Sequence, residues 1–219
     1  TITKNYSQVD KLWSIMPIPY LWIMVHYGSY DPRLILMAVL VTIWGVRLSC
    51  NFARRGGYSL KFWTGEEDYR WSILQAKPEF AQKWKWVLFN FLFISFYQMG
   101  LVLLTTLPAI RVLGIHTPIG LFDIVLAIVI LLLIFIEFLS DQQQYNYQTE
   151  KYRQIESGNV ESYYKIGFVH TGLWAWMRHP NYMAEQAIWI VFYFYSVIAT
   201  GHWINWTITG GLLLVLLFK

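Results

Sequence analysis

Between Ile119 and Leu139 the chain passes through twenty-one residues of which only Asp123 and Glu137 are charged, and the thirteen between those two acids are all apolar. A helix that crosses the hydrocarbon core of a bilayer needs about 20 mostly apolar residues, and only a structure that bonds its own backbone internally survives there. Five further stretches have the same character: 86–107, 33–50, the pair 186–200 and 203–218 divided by Gly201-His202, and a shorter one at 12–27. Pro17 and Pro19 predict a kinked or late-starting helix in the last of these. Six candidate spans in 219 residues, with 56% hydrophobic and 14% charged residues and a mean hydropathy of +0.38, predict an all-α, polytopic transmembrane helical bundle. The length predicts a single membrane-embedded domain over 1–219, without linker, low-complexity tract or internal repeat. The polar start, Thr1 to Asp10, does not resemble a cleavable signal peptide.

Charge sets the expected orientation. Under the six-span reading, fifteen of the seventeen basic residues fall on one side and only Arg33 and Arg111 on the other. Positive charge marks the cytosolic face. The long polar loops 51–85 and 140–185 and both termini are therefore expected in the cytosol. The bilayer is the expected environment, in the endoplasmic reticulum of a eukaryote or the inner membrane of a bacterium. The basic residues are not arranged for nucleic acid. Cys50, the single cysteine, is read as a small packing residue. His26, His116 and His202 have no metal-ligand spacing, and no metal site is expected. Asp123 is expected to reach the far interface.

Three constellations carry candidate chemistry. Arg178-His179-Pro180-Asn181-Tyr182 with Glu185 stands directly before an apolar run. Proline favours the first helical position, so the helix is expected to start at Pro180 with free N–H groups that suit an anion. Arg178 suits a phosphate held bidentately, and Tyr182 and Glu185 share a helical face. Asp141, Tyr145, Gln148 and Tyr152 form a stripe beyond the 119–139 span, read as a polar helical extension that either is simply solvated or binds a ligand. In the second case Asp141 suits a carboxamide or ribose hydroxyl, and Tyr147 or Arg153 a phosphate. Glu137 lies one turn before Asp141 on the same face and is expected to front a cavity or the bundle interior. The third constellation joins Asn51, Arg54, Arg55 and the Gly56-Gly57 turn to the run Glu66-Glu67-Asp68-Tyr69-Arg70. That run is either a surface ion-pair cluster or a tyrosine donor paired with a carboxylate.

At these residues the sequence resembles the steroid 5α-reductase superfamily, and more closely a branch that carries the steroid-reductase C-terminal domain. The matching pieces are Asn5-Tyr-Ser-Gln-Val-Asp-Lys-Leu-Trp-Ser14, Glu67-Asp-Tyr-Arg-Trp71, Asp141-Gln-Gln-Gln-Tyr145 and Gly172-Leu-Trp-Ala-Trp-Met-Arg-His-Pro-Asn-Tyr-Met-Ala-Glu185. The resemblance implies that NADPH enters from the cytosol and is held by the C-terminal half. It implies reduction of an activated carbon–carbon double bond in a lipid, often a 3-oxo-Δ4 steroid. It makes Asp141, Arg178, His179, Asn181, Tyr182 and Glu185 cofactor contacts. Arg54 and Glu137 become candidates on the substrate side, and Tyr69 with Glu67 the candidate donor pair that stabilises negative charge on the substrate oxygen. Family members continue past the last span into a polar tail, so this sequence is expected to be a piece at both ends. The Arg-His-Pro-Asn-Tyr element also occurs in isoprenylcysteine carboxyl methyltransferases. That leaves an S-adenosylmethionine-dependent membrane methyltransferase as the alternative, and a non-catalytic lipid-binding scaffold as a third reading. The oligomeric state is left open.

Overall fold

The computed structural model describes residues 7–58 and 69–218, without the side chains of Tyr69 and Arg70. The described residues form helices and turns and no strand. Ten α-helices follow one another: α1 (Gln8–Trp13), α2 (Pro17–Tyr27), α3 (Pro32–Arg54), α4 (Tyr69–Gln75), α5 (Lys83–Phe89), α6 (Gln98–Thr106), α7 (Leu121–Ser157), α8 (Ser162–Lys165), α9 (Pro180–Thr200) and α10 (Thr209–Leu217). A π-helical segment, Asn90–Tyr97, joins α5 to α6, so that Lys83–Arg111 is one continuous rod.

Among the described residues, four helical units are long and apolar enough to cross a membrane: α3, the Lys83–Arg111 rod, α7 and α9. The protein is an integral membrane protein. The other two candidate spans are shorter helices. Helix α2 starts at Pro17, the late start its two prolines predict, and the helical stretch Trp206–Leu217 follows a break at Gly201. Gly201 takes φ 71°, a left-handed conformation natural to glycine, and closes α9. Helix α7 measures about 55 Å at 1.5 Å per residue, against a hydrocarbon core of about 30 Å. Its first two-thirds expose Leu121, Phe122, Ile128, Leu132, Phe135 and Phe138, a lipid-facing belt, and the remainder projects as the expected polar extension.

The core sits where α3, α7 and α9 meet, with α2, α6 and α10 around them. Leu34, Met37, Trp44, Ile130, Ile188, Phe192 and Tyr195 fill it. Lipid tails are as apolar as these side chains, so close approach of backbones must supply much of the packing. Gly45 shows this: a Cβ there would lie 2.5 Å from the Ser14 carbonyl. Gly210 lets α10 press against the backbone of α6 at Leu104 in the same way.

At the end of the bundle away from the polar loops, Asp31 caps α3 by accepting from the Arg33 N–H at 2.9 Å. The Arg33 guanidinium crosses to Asp123 of α7 in a bidentate pair of 2.7 and 3.0 Å, and also donates to Thr117. Asp123 is fully buried in this pair, in the first turn of α7. An acid in a span needs a charge partner, and Arg33 supplies one from another helix. Cys50 departs from expectation: it is exposed on the flank of α3 rather than packed.

Candidate functional site

The polar side chains of α3, α7 and α9 converge at the end that carries the long loops. Helix α9 begins at Pro180, as the proline predicts, and its first turns present Asn181, Tyr182 and Glu185. Four residues separate Glu137 from Asp141, so both lie on one face of α7. Arg47 and Asn51 repeat the same spacing on α3. These three stripes interlock. Arg47 pairs with Glu137 and, at 2.8 Å, with Asp141. Asn51 donates to the same Asp141 oxygen at 2.8 Å, and Asn181 donates to the other at 3.2 Å. Glu185 accepts from the indole N–H of Trp44 at 2.7 Å and of Trp189 at 3.0 Å, two rings that meet edge to face.

A cavity of about 660 Å³ opens beside this network. That is within the usual range for a small-molecule or cofactor site, roughly 300–1,000 Å³. Glu137, Asp141, Asn181, Tyr182 and Glu185 all line it. Aromatic side chains from across the fold complete the lining, among them Trp13, Phe93 and Phe218. Among the described residues two buried acceptors of the cluster, Glu137 Oε2 and Asn181 Oδ1, have no hydrogen-bond partner, nor does the Arg47 Nε–H beside them. A buried polar atom without a partner costs about 1–3 kcal/mol, so the arrangement is poised for a ligand that donates hydrogen bonds.

The other candidates from the sequence are distributed around this cavity. Arg178 and His179 are exposed and do not line it; His179 stacks on Tyr182 with ring centroids 5.2 Å apart, and Tyr182 in turn contacts Phe218. Arg54 lies one layer out. It donates to Asn51 at 2.9 Å and to Gln142 at 2.6 Å, and its guanidinium lies 4.4 Å from the Tyr145 ring. Arg54 therefore positions Asn51 rather than facing the cavity. Glu67 lies outside the described residues. Tyr69 opens α4, the helix whose Trp71 and Leu74 line the cavity. Arg153 donates to Glu150 at 2.5 and 2.8 Å. Hydrogen bonds from Arg153 and Gln154 bring the Glu150 carboxyl down to about 2. Tyr147 is buried against Tyr163 and Tyr164.

Sequence reasoning missed Arg47, Asn51's direct contact with Asp141, the two indoles that hold Glu185, and Gln98, a cavity residue from α6. A signal was present for the first two. Positions 47, 51 and 54 are polar at helical spacing on an otherwise apolar helix, the mark of a buried polar seam.

An uncharacterised protein of Schizosaccharomyces pombe, C594.04c, is 37% identical over 231 residues, which cover 99% of this chain. The chain spans 65% of the length of that relative. No solved structure matches. The family described as "Protein of unknown function (DUF1295)" matches across residues 1–219, and the chain belongs to that family.

Proposed function

We propose that this protein is a membrane reductase, related to the steroid 5α-reductases, that uses NADPH to reduce the activated carbon–carbon double bond of a steroid-like or other lipid enone. One observation carries the reading. Acids and amides from three helices share a cavity with an aromatic wall, at the end of the bundle where the sequence places the cytosol, and two of their buried acceptors await donors.

Those acceptors suit the carboxamide N–H2 and ribose hydroxyls of a nicotinamide dinucleotide. Arg55, which lines the cavity and is itself exposed, and Arg178, next to the His179 that stacks on Tyr182, suit its phosphates. When bound, NADPH supplies the hydride. The chain's own residues do the remaining work. Arg47, Asn51 and Asn181 hold Asp141 in one orientation before any ligand arrives, which is the preorganisation that an efficient site needs. Trp13, Phe93 and Phe218 keep water from the lipid. Negative charge that develops on the substrate oxygen needs a hydrogen-bond donor, and Tyr69 with Glu67 remains the sequence's candidate pair; Tyr69 opens the helix that brings Trp71 to the cavity. Such a donor contributes roughly 3–4 kcal/mol.

Methyl transfer has one observation in its favour. Asp10, Glu137, Asp141 and Glu185 make the lining rich in carboxylates, and with aromatic rings beside them this also suits the sulfonium cation of S-adenosylmethionine. Thermal melting of purified protein separates the two. NADPH at 100 times its Kd stabilises by about 2.7 kcal/mol, a shift on the order of 5–11 °C for a chain of this size, and Asp141→Asn reduces it. A shift with S-adenosylmethionine and none with NADPH refutes the reductase.

A further inference from the structure

We infer that Gln98 recognises an oxygen function of the lipid substrate, donating from its side-chain amide to that oxygen inside the cavity. This deepens the reductase reading and rests on it for the chemical nature of the substrate.

Gln98 lies fifteen residues from Lys83 and thirteen from Arg111, near the midpoint of the rod. At 1.5 Å per residue it is about 20 Å from either end of the rod. Its side chain is 8% exposed and lines the same cavity as Glu137, Asp141 and Asn181. Among the described residues its amide has no hydrogen-bond partner. Thr105 and Thr106 of the same rod donate instead to the carbonyls of Val102 and Leu103 within their own helix. A polar side chain on a spanning helix is costly unless something bonds it, and such residues characteristically mark a substrate path.

The backbone is distorted at the same place. In an α-helix, residues five apart are turned about 140° from each other, so Phe93 and Gln98 would face different ways. The π-helical segment Asn90–Tyr97 ends immediately before Gln98, and its wider i→i+5 turn reduces that offset, with the rings of Phe89, Phe93 and Tyr97 stacked along it. Phe93 and Gln98 both line the cavity. Gln98 thus joins a lining that also holds the aromatic side chains of Trp13, Phe93 and Phe218. That combination suits an apolar body carrying a carbonyl, with Gln98 fixing which end of the lipid enters first. Gln98 is then also a second candidate donor to the enone oxygen, in addition to Tyr69.

The test uses purified full-length protein, titrated with a 3-oxo-Δ4 steroid and with the same steroid lacking the 3-oxo group, apparent Kd being read from melting temperature. Wild-type protein is expected to prefer the ketone by about tenfold, the contribution of one net hydrogen bond. Gln98→Leu is expected to bind both steroids alike, to keep the wild-type response to NADPH, and to melt no lower than wild type without ligand, since no partner is lost. Gln98→Asn, which keeps the amide on a shorter stem, retains part of the preference. The inference is overturned if wild type shows no preference, if Gln98→Leu keeps it, or if Gln98→Leu melts markedly lower, which would mean that the amide holds the fold. Absence of any NADPH response alongside a Gln98-dependent preference sinks the reductase reading alone.

Discussion

Replacing Arg47 with methionine removes the one cation that sits between two buried acids, and the structure says which acid suffers. Arg47 is 10% exposed, and Glu137 and Asp141 are each 5% exposed. Asp141 keeps Asn51 at 2.8 Å, Asn181 at 3.2 Å and the Arg55 guanidinium at 4.0 Å after the change. Glu137 keeps nothing comparable, because Arg47 is its ion-pair partner and its other oxygen is already without a hydrogen bond. Breaking a buried pair by removing one partner costs about 3–5 kcal/mol. For a chain of this length each kcal/mol lowers the melting temperature by about 2–4 °C, so Arg47→Met is expected to melt roughly 6–20 °C lower. The stranded charge identifies the compensating change. Glu137→Gln in the Arg47→Met background is expected to recover most of the loss, and Asp141→Asn much less, a coupling measurable by double-mutant cycles in detergent-solubilised protein. Equal recovery by both, or an Arg47→Met protein that melts within a degree or two of wild type, would show that the cluster is not a buried, asymmetric ion triad.

The remaining predictions address other parts of the fold. Asp123→Asn strands the buried Arg33 guanidinium and is expected to cost about 3–5 kcal/mol by the same melting assay, although it lies at the opposite end from the cavity. Glu185→Gln leaves one acceptor oxygen where Trp44 and Trp189 each donate to a separate one. One indole N–H loses its partner, so stability is expected to fall by about 1–3 kcal/mol, with tryptophan fluorescence reporting the change. The Glu150 carboxyl is held down to about 2 by hydrogen bonds from Arg153 and Gln154, below its ordinary value of 4.5. A depressed carboxylate contributes stability that is complete above the unfolded value and is lost as pH falls through the folded one. The extension of α7 is therefore expected to lose this contribution between about pH 4.5 and pH 2, and Glu150→Gln to remove that pH dependence; a carboxyl titration by NMR with an unshifted midpoint would contradict it.

How much of this was visible in the chain depends on the distance over which each feature is decided. Helix type, length and start follow from neighbours three or four residues apart. The proline at 180 announces α9, the prolines at 17 and 19 delay α2, and the polar run after Leu139 extends α7. Glu137 and Asp141 were readable as one face for the same reason, and so were Tyr182 and Glu185. Their convergence on one cavity is what the structure adds. In a soluble protein the apolar face of a helix points to its partners. In a bilayer both the lipid-facing and the protein-facing sides are apolar, so the rotation of each helix is weakly marked.

The sequence by itself determined a membrane-embedded helical protein, the reach of its long helices and the clustering of acids and amides near their polar-loop ends. Tertiary structure alone decided that Arg47 bridges Glu137 and Asp141 from about ninety residues away, that Trp44 and Trp189 clamp Glu185, and that Asp123 is buried against Arg33. It also left Arg178 and His179 outside the cavity wall and brought Gln98 into it. Those outcomes depend on which helices pack together and how a π-helical turn rotates one of them, and neither is encoded in the spacing of residues along a single helix.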